Sequence, residues 1–123
     1  MLLALALTVL LAALAIFQLA LALGAPIGRF AWGGQHRVLP TRLRVGSVVA
    51  ILIYALIALI AWDRVGAIDV FPERFSVVAM WVVFAYFALG ILLNAISRSR
   101  PERYVMVPVT VVLAVLSFFL AIS

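Results

Sequence analysis

The sequence predicts an all-α protein, a four-helix transmembrane bundle with an ordered interfacial loop between helices 1 and 2. Hydrophobic residues make up 69% of the 123 residues and charged residues only 11%. Soluble domains average about 45–50% apolar and about 25% charged residues. The apolar residues also form four runs, each of roughly the 17–25 residues that a helix needs to cross a bilayer. Residues 1–123 are therefore expected to form a single integral membrane domain.

The four predicted spans cover about residues 2–23, 45–62, 76–96 and 104–122. Helices are expected because lipid offers the backbone no hydrogen-bond partners, and the alternating pattern of membrane β-strands is absent. The first run has an alternative interpretation as a signal peptide, since Ala20-Leu21-Ala22 resembles a cleavage site. An uncleaved span is favoured because no positive charge precedes the run, and because signal peptides have shorter apolar regions of about 7–15 residues.

Positive charge is concentrated in two of the three connections between the spans. The net charge is +5, and seven of the nine arginines lie in residues 25–44 and 97–103. Positively charged loops stay in the cytoplasm, so we expect these two connections there and both termini outside, in a bacterial inner membrane. Because this topology accounts for the basic composition, nucleic acid is not an expected partner.

The first connection reads GAPIGRFAWGGQHRVLPTRLR over residues 24–44. Gly24 and Pro26 form a typical helix stop, and Phe30 and Trp32 suit a segment at headgroup level. Structureless loops of about 20 residues are uncommon, and aromatic residues argue against disorder. We therefore predict an ordered interfacial segment folded against the cytoplasmic mouth of the bundle.

The arginines of the two connections are expected to form a basic rim that faces anionic lipid headgroups. The candidate contacts to a headgroup or a protein partner are Arg29, Trp32, His36, Arg37, Arg42, Arg44, Arg98, Arg100 and Arg103. A specific phosphate-bearing ligand is an alternative, because guanidinium groups suit phosphate. No Walker-type glycine loop is present to support it.

The candidate polar residues inside the spans are neutral, namely Gln18, Tyr54, Tyr86 and Asn94. No ionisable side chain lies deep in a predicted span, whereas proton-coupled transporters usually need one. Small multidrug resistance transporters also have four spans, but their hallmark is a Glu in the first span, where this chain has only Gln18. Gly46 and Ala50 lie on one helical face with Tyr54, which favours close helix packing. Asn94 is expected to make an interhelical hydrogen bond or a helix cap, with substrate contact as the alternative.

Two longer patterns resemble those of a group of uncharacterised small bacterial four-span membrane proteins. They are GxPxGxxxWGGxxRVLPxRLRxGS, which begins at Gly24, and NAISRSRPERYxMxP, which begins at Asn94. The resemblance extends over most of the chain and implies that the two arginine-rich connections act as a unit. It implies no activity, cofactor or site residue.

Two function classes remain open. The first is a non-enzymatic accessory or scaffold subunit that contacts lipids or a membrane protein partner through the basic rim. The second is a small transporter or channel, not proton-coupled through a buried carboxylate. It would be a homodimer, because four spans alone are expected to enclose little space. A membrane enzyme ranks last, because His36 has no acid–base partner nearby. No catalytic residue, cofactor or metal site is expected.

Overall fold

The computed structural model describes residues 1–123 and confirms the prediction of an all-α bundle of four helices. The helices are α1 (Leu2–Ala22), α2 (Thr41–Arg64), α3 (Glu73–Ala95) and α4 (Arg100–Ile122). All four are long and apolar enough to cross a membrane, which makes this a multi-pass membrane protein. They are joined by loop 1 (residues 23–40), loop 2 (65–72) and loop 3 (96–99).

Three helices begin earlier than the apolar runs predicted. α2 begins at Thr41 rather than residue 45, and α4 begins at Arg100 rather than residue 104. Four arginines of the two arginine-rich connections therefore lie in helices: Arg42, Arg44, Arg100 and Arg103. The prediction was wrong here because an apolar run measures only the part of a helix within hydrocarbon. The first turn continues into the headgroup layer, where charged side chains are tolerated.

Consecutive helices run antiparallel, so the termini and loop 2 share one end of the bundle. Loops 1 and 3 share the other end, which we call the arginine end. The α1–α2 and α3–α4 pairs pack most extensively. The main hydrophobic core occupies the half nearer loop 2 and comprises Ala4, Leu7, Leu11, Ile57, Ile60, Ala61, Met80, Val83, Phe87, Leu113, Ala114, Leu120 and Ala121. The half of the bundle nearer the arginine end therefore lies outside this core.

At the loop 2 end, side-chain hydrogen bonds connect α2 to α1, to loop 2 and to α3. The indole Nε1 of Trp62 donates to the hydroxyl of Thr8 at 2.9 Å, which connects α2 to α1. The carboxylate of Asp63 accepts from the N–H of Val70 at 2.8 Å and from the hydroxyl of Ser76. Loop 2 is thus held to the end of α2 and to the first turn of α3.

The ends of the helices at the arginine end are defined by local sequence. Gly24 has a φ of +97°, and the N–H of Ala25 donates to the carbonyl of Ala20 at 2.9 Å. This is a Schellman ending, so the predicted helix stop at Gly24 is confirmed. At the start of α4, Ser99 is the N-cap, and its hydroxyl oxygen accepts from the N–H of Glu102. Loops 1 and 3 therefore leave the bundle in fixed directions.

Candidate functional site

Loop 1 is ordered, as the sequence predicted. It contains two short 3₁₀ turns, Gly28–Phe30 and Trp32–Gly34. Loop 1 packs its buried residues Ala31 and Leu39 against Leu21 of α1, and the three form a small hydrophobic cluster separate from the main core. The burial of these apolar side chains stabilises a defined loop conformation.

Two close approaches shape loop 1. The N–H of Gly28 donates to the carbonyl of Arg37 at 2.9 Å, and a Cβ at Gly28 would lie only 1.9 Å from the carbonyl oxygen of His36. Trp32 has a positive φ of 52° and packs its ring on α2, where a Cβ at Gly46 would lie 2.9 Å from the indole. The small residue Gly46, expected to allow helix packing, therefore accommodates loop 1.

Loops 1 and 3 are joined directly to one another. The hydroxyl of Ser99 donates to the carbonyl of Arg29. The N–H of Gly33 donates to Oε2 of Glu102 at 2.9 Å, and the hydroxyl of Ser97 donates to the same oxygen at 3.1 Å. The two loops thus form one structure over the start of α4, which we call the cap (residues 23–40 and 96–99).

Glu102 is the functional candidate that the sequence analysis missed. Glu102 is only 7% exposed, although the sequence assigned it to the arginine-rich connection 97–103. This assignment is wrong, because Glu102 lies in the first turn of α4. The spacing of Ser99 and Glu102 is that of a capping box, S-x-x-E, which places the Glu side chain at the beginning of a helix. This signal could have located the residue.

A cavity of about 430 Å³ lies between the helices, beneath the cap. The four predicted intramembrane polar residues all line the cavity, namely Gln18, Tyr54, Tyr86 and Asn94. Glu102 and the loop residue Trp32 line it as well. The structure therefore brings together polar side chains from all four helices. All of the lining residues belong to one chain, so a dimer is not needed to form this cavity; the predicted homodimer stays a prediction.

The two amide side chains of the cavity, those of Gln18 and Asn94, make long hydrogen bonds. Nε2 of Gln18 donates to the hydroxyl of Tyr54 at 3.5 Å, and Oε1 of Gln18 is buried without a partner. Nδ2 of Asn94 donates to the hydroxyl of Thr110 at 3.4 Å, which is the interhelical bond expected of this residue. Hydrogen bonds of this length are weak. The amides of Gln18 and Asn94 are therefore held only weakly by their neighbours.

No family model matches the chain, and no curated protein or solved structure gives a match. The function must therefore be inferred from the site itself. Ligand sites are typically concave, about 300–1,000 Å³ in volume and mostly apolar, with a few convergent polar groups. The cavity has these properties. No group of three or more His, Cys, Asp or Glu side chains that could hold a metal ion is present.

The predicted rim residues fall into two groups. Five arginines are exposed around the arginine end: Arg29, Arg37, Arg42, Arg98 and Arg100. The other two bind loop carbonyls, since Nε of Arg44 donates to Leu39 at 2.8 Å and Nη1 of Arg103 donates to Ser97 at 2.6 Å. His36 is half-buried beside Gly28. Only the five exposed guanidinium groups thus form an open basic surface.

Proposed function

We propose that this chain is a non-enzymatic membrane protein that binds a small molecule inside its bundle, as a transporter or channel does. The observation that carries the proposal is the convergence of Gln18, Tyr54, Tyr86 and Asn94 on one cavity. Polar side chains are costly within a membrane and usually mark a substrate or ion pathway. Four of them scattered along the sequence and facing one space favour a binding role over isolated packing contacts.

The cavity has one closed end. The hydrophobic core fills the half of the bundle nearer loop 2, so a molecule would enter from the arginine end or from the surrounding lipid. With the positive-inside orientation, this entrance faces the cytoplasm or the inner leaflet. Passage across the membrane would then require the core half to open in a second conformation.

The proposal is tested by filling the cavity. Ala50 lines the cavity, whereas Ala55 is exposed on the outer surface of the same helix. We expect Ala50→Phe to abolish saturable binding of small fluorescent dyes by the purified protein, and their flux into reconstituted liposomes. The matched variant Ala55→Phe should behave as the unmodified protein, and the dye set includes cationic, neutral and anionic members. Equal behaviour of the two variants, or no saturable binding of any dye, would show the proposal to be wrong.

A second candidate function is that of an accessory subunit that contacts anionic lipid headgroups through the five exposed arginines. The observation that favours it is that loop 1 is ordered and holds Arg29 and Arg37 on the same end as Arg98. Each basic residue near an anionic surface contributes about 1 kcal/mol of attraction. This role is compatible with a binding cavity beneath the cap.

Native mass spectrometry with phosphatidylglycerol and phosphatidylcholine tests this second function. Changing the five exposed arginines to Gln should reduce the number of bound phosphatidylglycerol molecules and leave phosphatidylcholine unchanged. Arg74 is exposed at the opposite end, so Arg74→Gln is the matched control. If the variant with all five substitutions retains the same preference for phosphatidylglycerol, the basic surface does not bind anionic headgroups.

A further inference from the structure

We propose that the cavity binds an amphipathic amine, with its ammonium group paired with the carboxylate of Glu102. Its apolar body would lie among the aromatic side chains of the cavity and extend into a groove between α2 and α3. This inference rests on the proposed function and names the class of ligand. Three features of the site lead to it: an uncompensated carboxylate, an aromatic lining and a lateral apolar opening.

The first feature is the charge of Glu102. Its side chain is 7% exposed and lines the cavity. Both of its hydrogen bonds, from the N–H of Gly33 and the hydroxyl of Ser97, go to Oε2, and neither donor carries a charge. The first turn of α4 contributes a partial positive charge from the helix dipole. A buried carboxylate is stable when it is paired and hydrogen-bonded, so Oε1 is the atom that a cationic ligand would contact.

The second feature is the remainder of the lining. Six aromatic side chains face the cavity: Phe17, Phe30, Trp32, Tyr54, Tyr86 and Phe87. Aromatic faces attract cations, and the lining includes no Arg, Lys or His that could bind an anion. The unpartnered Oε1 of Gln18 is a second hydrogen-bond acceptor. The site therefore matches a ligand that is cationic and rich in hydrogen-bond donors.

The third feature is a groove between α2 and α3, also of about 430 Å³, which is lined only by hydrophobic residues. Tyr86 lines both the groove and the cavity, so the two spaces adjoin this one side chain. Leu56 and Val82 of the groove are exposed on the outer surface of the bundle, where they would face lipid. An apolar chain attached to the amine would occupy this groove, which lies between the halves of α2 and α3 nearer loop 2.

The test uses three piperidine nitroxides that differ only in one substituent, which is an amine, a hydroxyl or a carboxylate. Nitroxides quench tryptophan fluorescence on contact, and Trp32 lines the cavity. In a protein that carries Trp62→Phe and Trp81→Phe, Trp32 is the sole tryptophan. At neutral pH we expect the amine to quench Trp32 saturably with at least about tenfold higher affinity than the hydroxyl analogue, because a charged hydrogen bond is the stronger one. The carboxylate should bind weakest.

Glu102→Gln keeps the size of the side chain and a hydrogen-bond acceptor while removing the charge. It should abolish the tenfold preference for the amine and leave the affinity for the hydroxyl probe within about twofold. Glu73→Gln is the matched control, because Glu73 is an exposed acid in the first turn of α3. An amine preference that persists in Glu102→Gln would overturn the assignment.

The outcomes separate this inference from the proposed function. If the three probes bind saturably with equal affinity, the cavity binds ligands but the selection for amines is wrong. If none of them quenches Trp32 saturably, the proposed function fails as well. The comparison of the three probes requires no change at Glu102, so it decides the charge preference even if Glu102→Gln loosens the cap.

Discussion

Two adjacent glycines in the cap give a quantitative test of how loops 1 and 3 fit together. Gly33 and Gly34 both have positive φ angles, +78° and +71°. A Cβ at Gly33 would meet nothing within 4 Å, whereas a Cβ at Gly34 would lie 2.4 Å from the Cβ of Ser99. The substitutions Gly33→Ala and Gly34→Ala therefore impose the same kind of backbone strain but differ in steric clash.

The expected magnitudes follow from this difference. An Ala residue in the left-handed region costs about 1–2 kcal/mol, and both variants carry this cost. Gly34→Ala adds overpacking of about 1–3 kcal/mol against Ser99. It also breaks the bond from the Ser99 hydroxyl to the carbonyl of Arg29, which contributes about 1 kcal/mol. We expect Gly34→Ala to destabilise the closed cap by about 2 kcal/mol or more beyond Gly33→Ala.

Limited trypsin digestion in detergent measures this effect, because Arg29 and Arg37 lie within the cap. When opening and closing are fast, the cleavage rate follows the population of the open state. A difference of about 2 kcal/mol then corresponds to about 30-fold faster cleavage in Gly34→Ala than in Gly33→Ala. The double variant Gly34→Ala/Ser99→Gly removes the clash and should recover much of the protection. Cleavage rates within twofold of each other would refute the packing of Gly34 against Ser99.

Three further predictions concern other parts of the chain. Trp62→Phe and Thr8→Val should each lower the free energy of unfolding in detergent by about 0.6–1.7 kcal/mol, because each removes the same interhelical hydrogen bond. The double variant should lose no more stability than either single variant, and additive losses would contradict this. Asp63→Ala should lower the melting temperature measured by circular dichroism, because three donors in loop 2 and α3 lose their acceptor; an unchanged melting temperature would mean that loop 2 is held by other contacts. The chain has no cysteine, so a membrane-impermeant maleimide applied to intact cells should label Asp69→Cys and not Gln35→Cys if the arginine end is cytoplasmic; the opposite result would invert the topology.

The fold class could be predicted from the sequence because lipid imposes strong constraints. Four apolar runs of sufficient length specify four helices, and Gly24 specifies where the first one ends. The starts of α2 and α4 were placed too late because hydropathy records the hydrocarbon layer and not the end of the helix. The N-cap at Ser99 and the turn that begins after Pro40 determine these starts. Hydropathy does not detect either signal.

The candidate site could be predicted only in part. Gln18, Tyr54, Tyr86 and Asn94 stand out because polar residues are rare in these spans, and the structure places all four around one cavity. Their convergence depends on how the helix pairs pack together, which the pattern of each helix does not specify. Glu102 was overlooked because neighbouring arginines suggested a solvated loop. Its burial results from a contact with Gly33, which lies 69 positions away in the sequence.

That separation has a consequence for the order in which the protein assembles. At a synthesis rate of about 5–20 residues per second, roughly 3–14 s pass between the emergence of Gly33 and that of Glu102. During this interval α1 and α2 can pair in the membrane, but loop 1 lacks its hydrogen bonds to Ser99 and Glu102. A ribosome stalled before α4 would therefore expose loop 1 to proteases and chaperones, however well the first hairpin had inserted. The cavity cannot form before α4 is synthesised, and quality-control machinery that surveys unfinished membrane proteins would encounter this one without its completed cap.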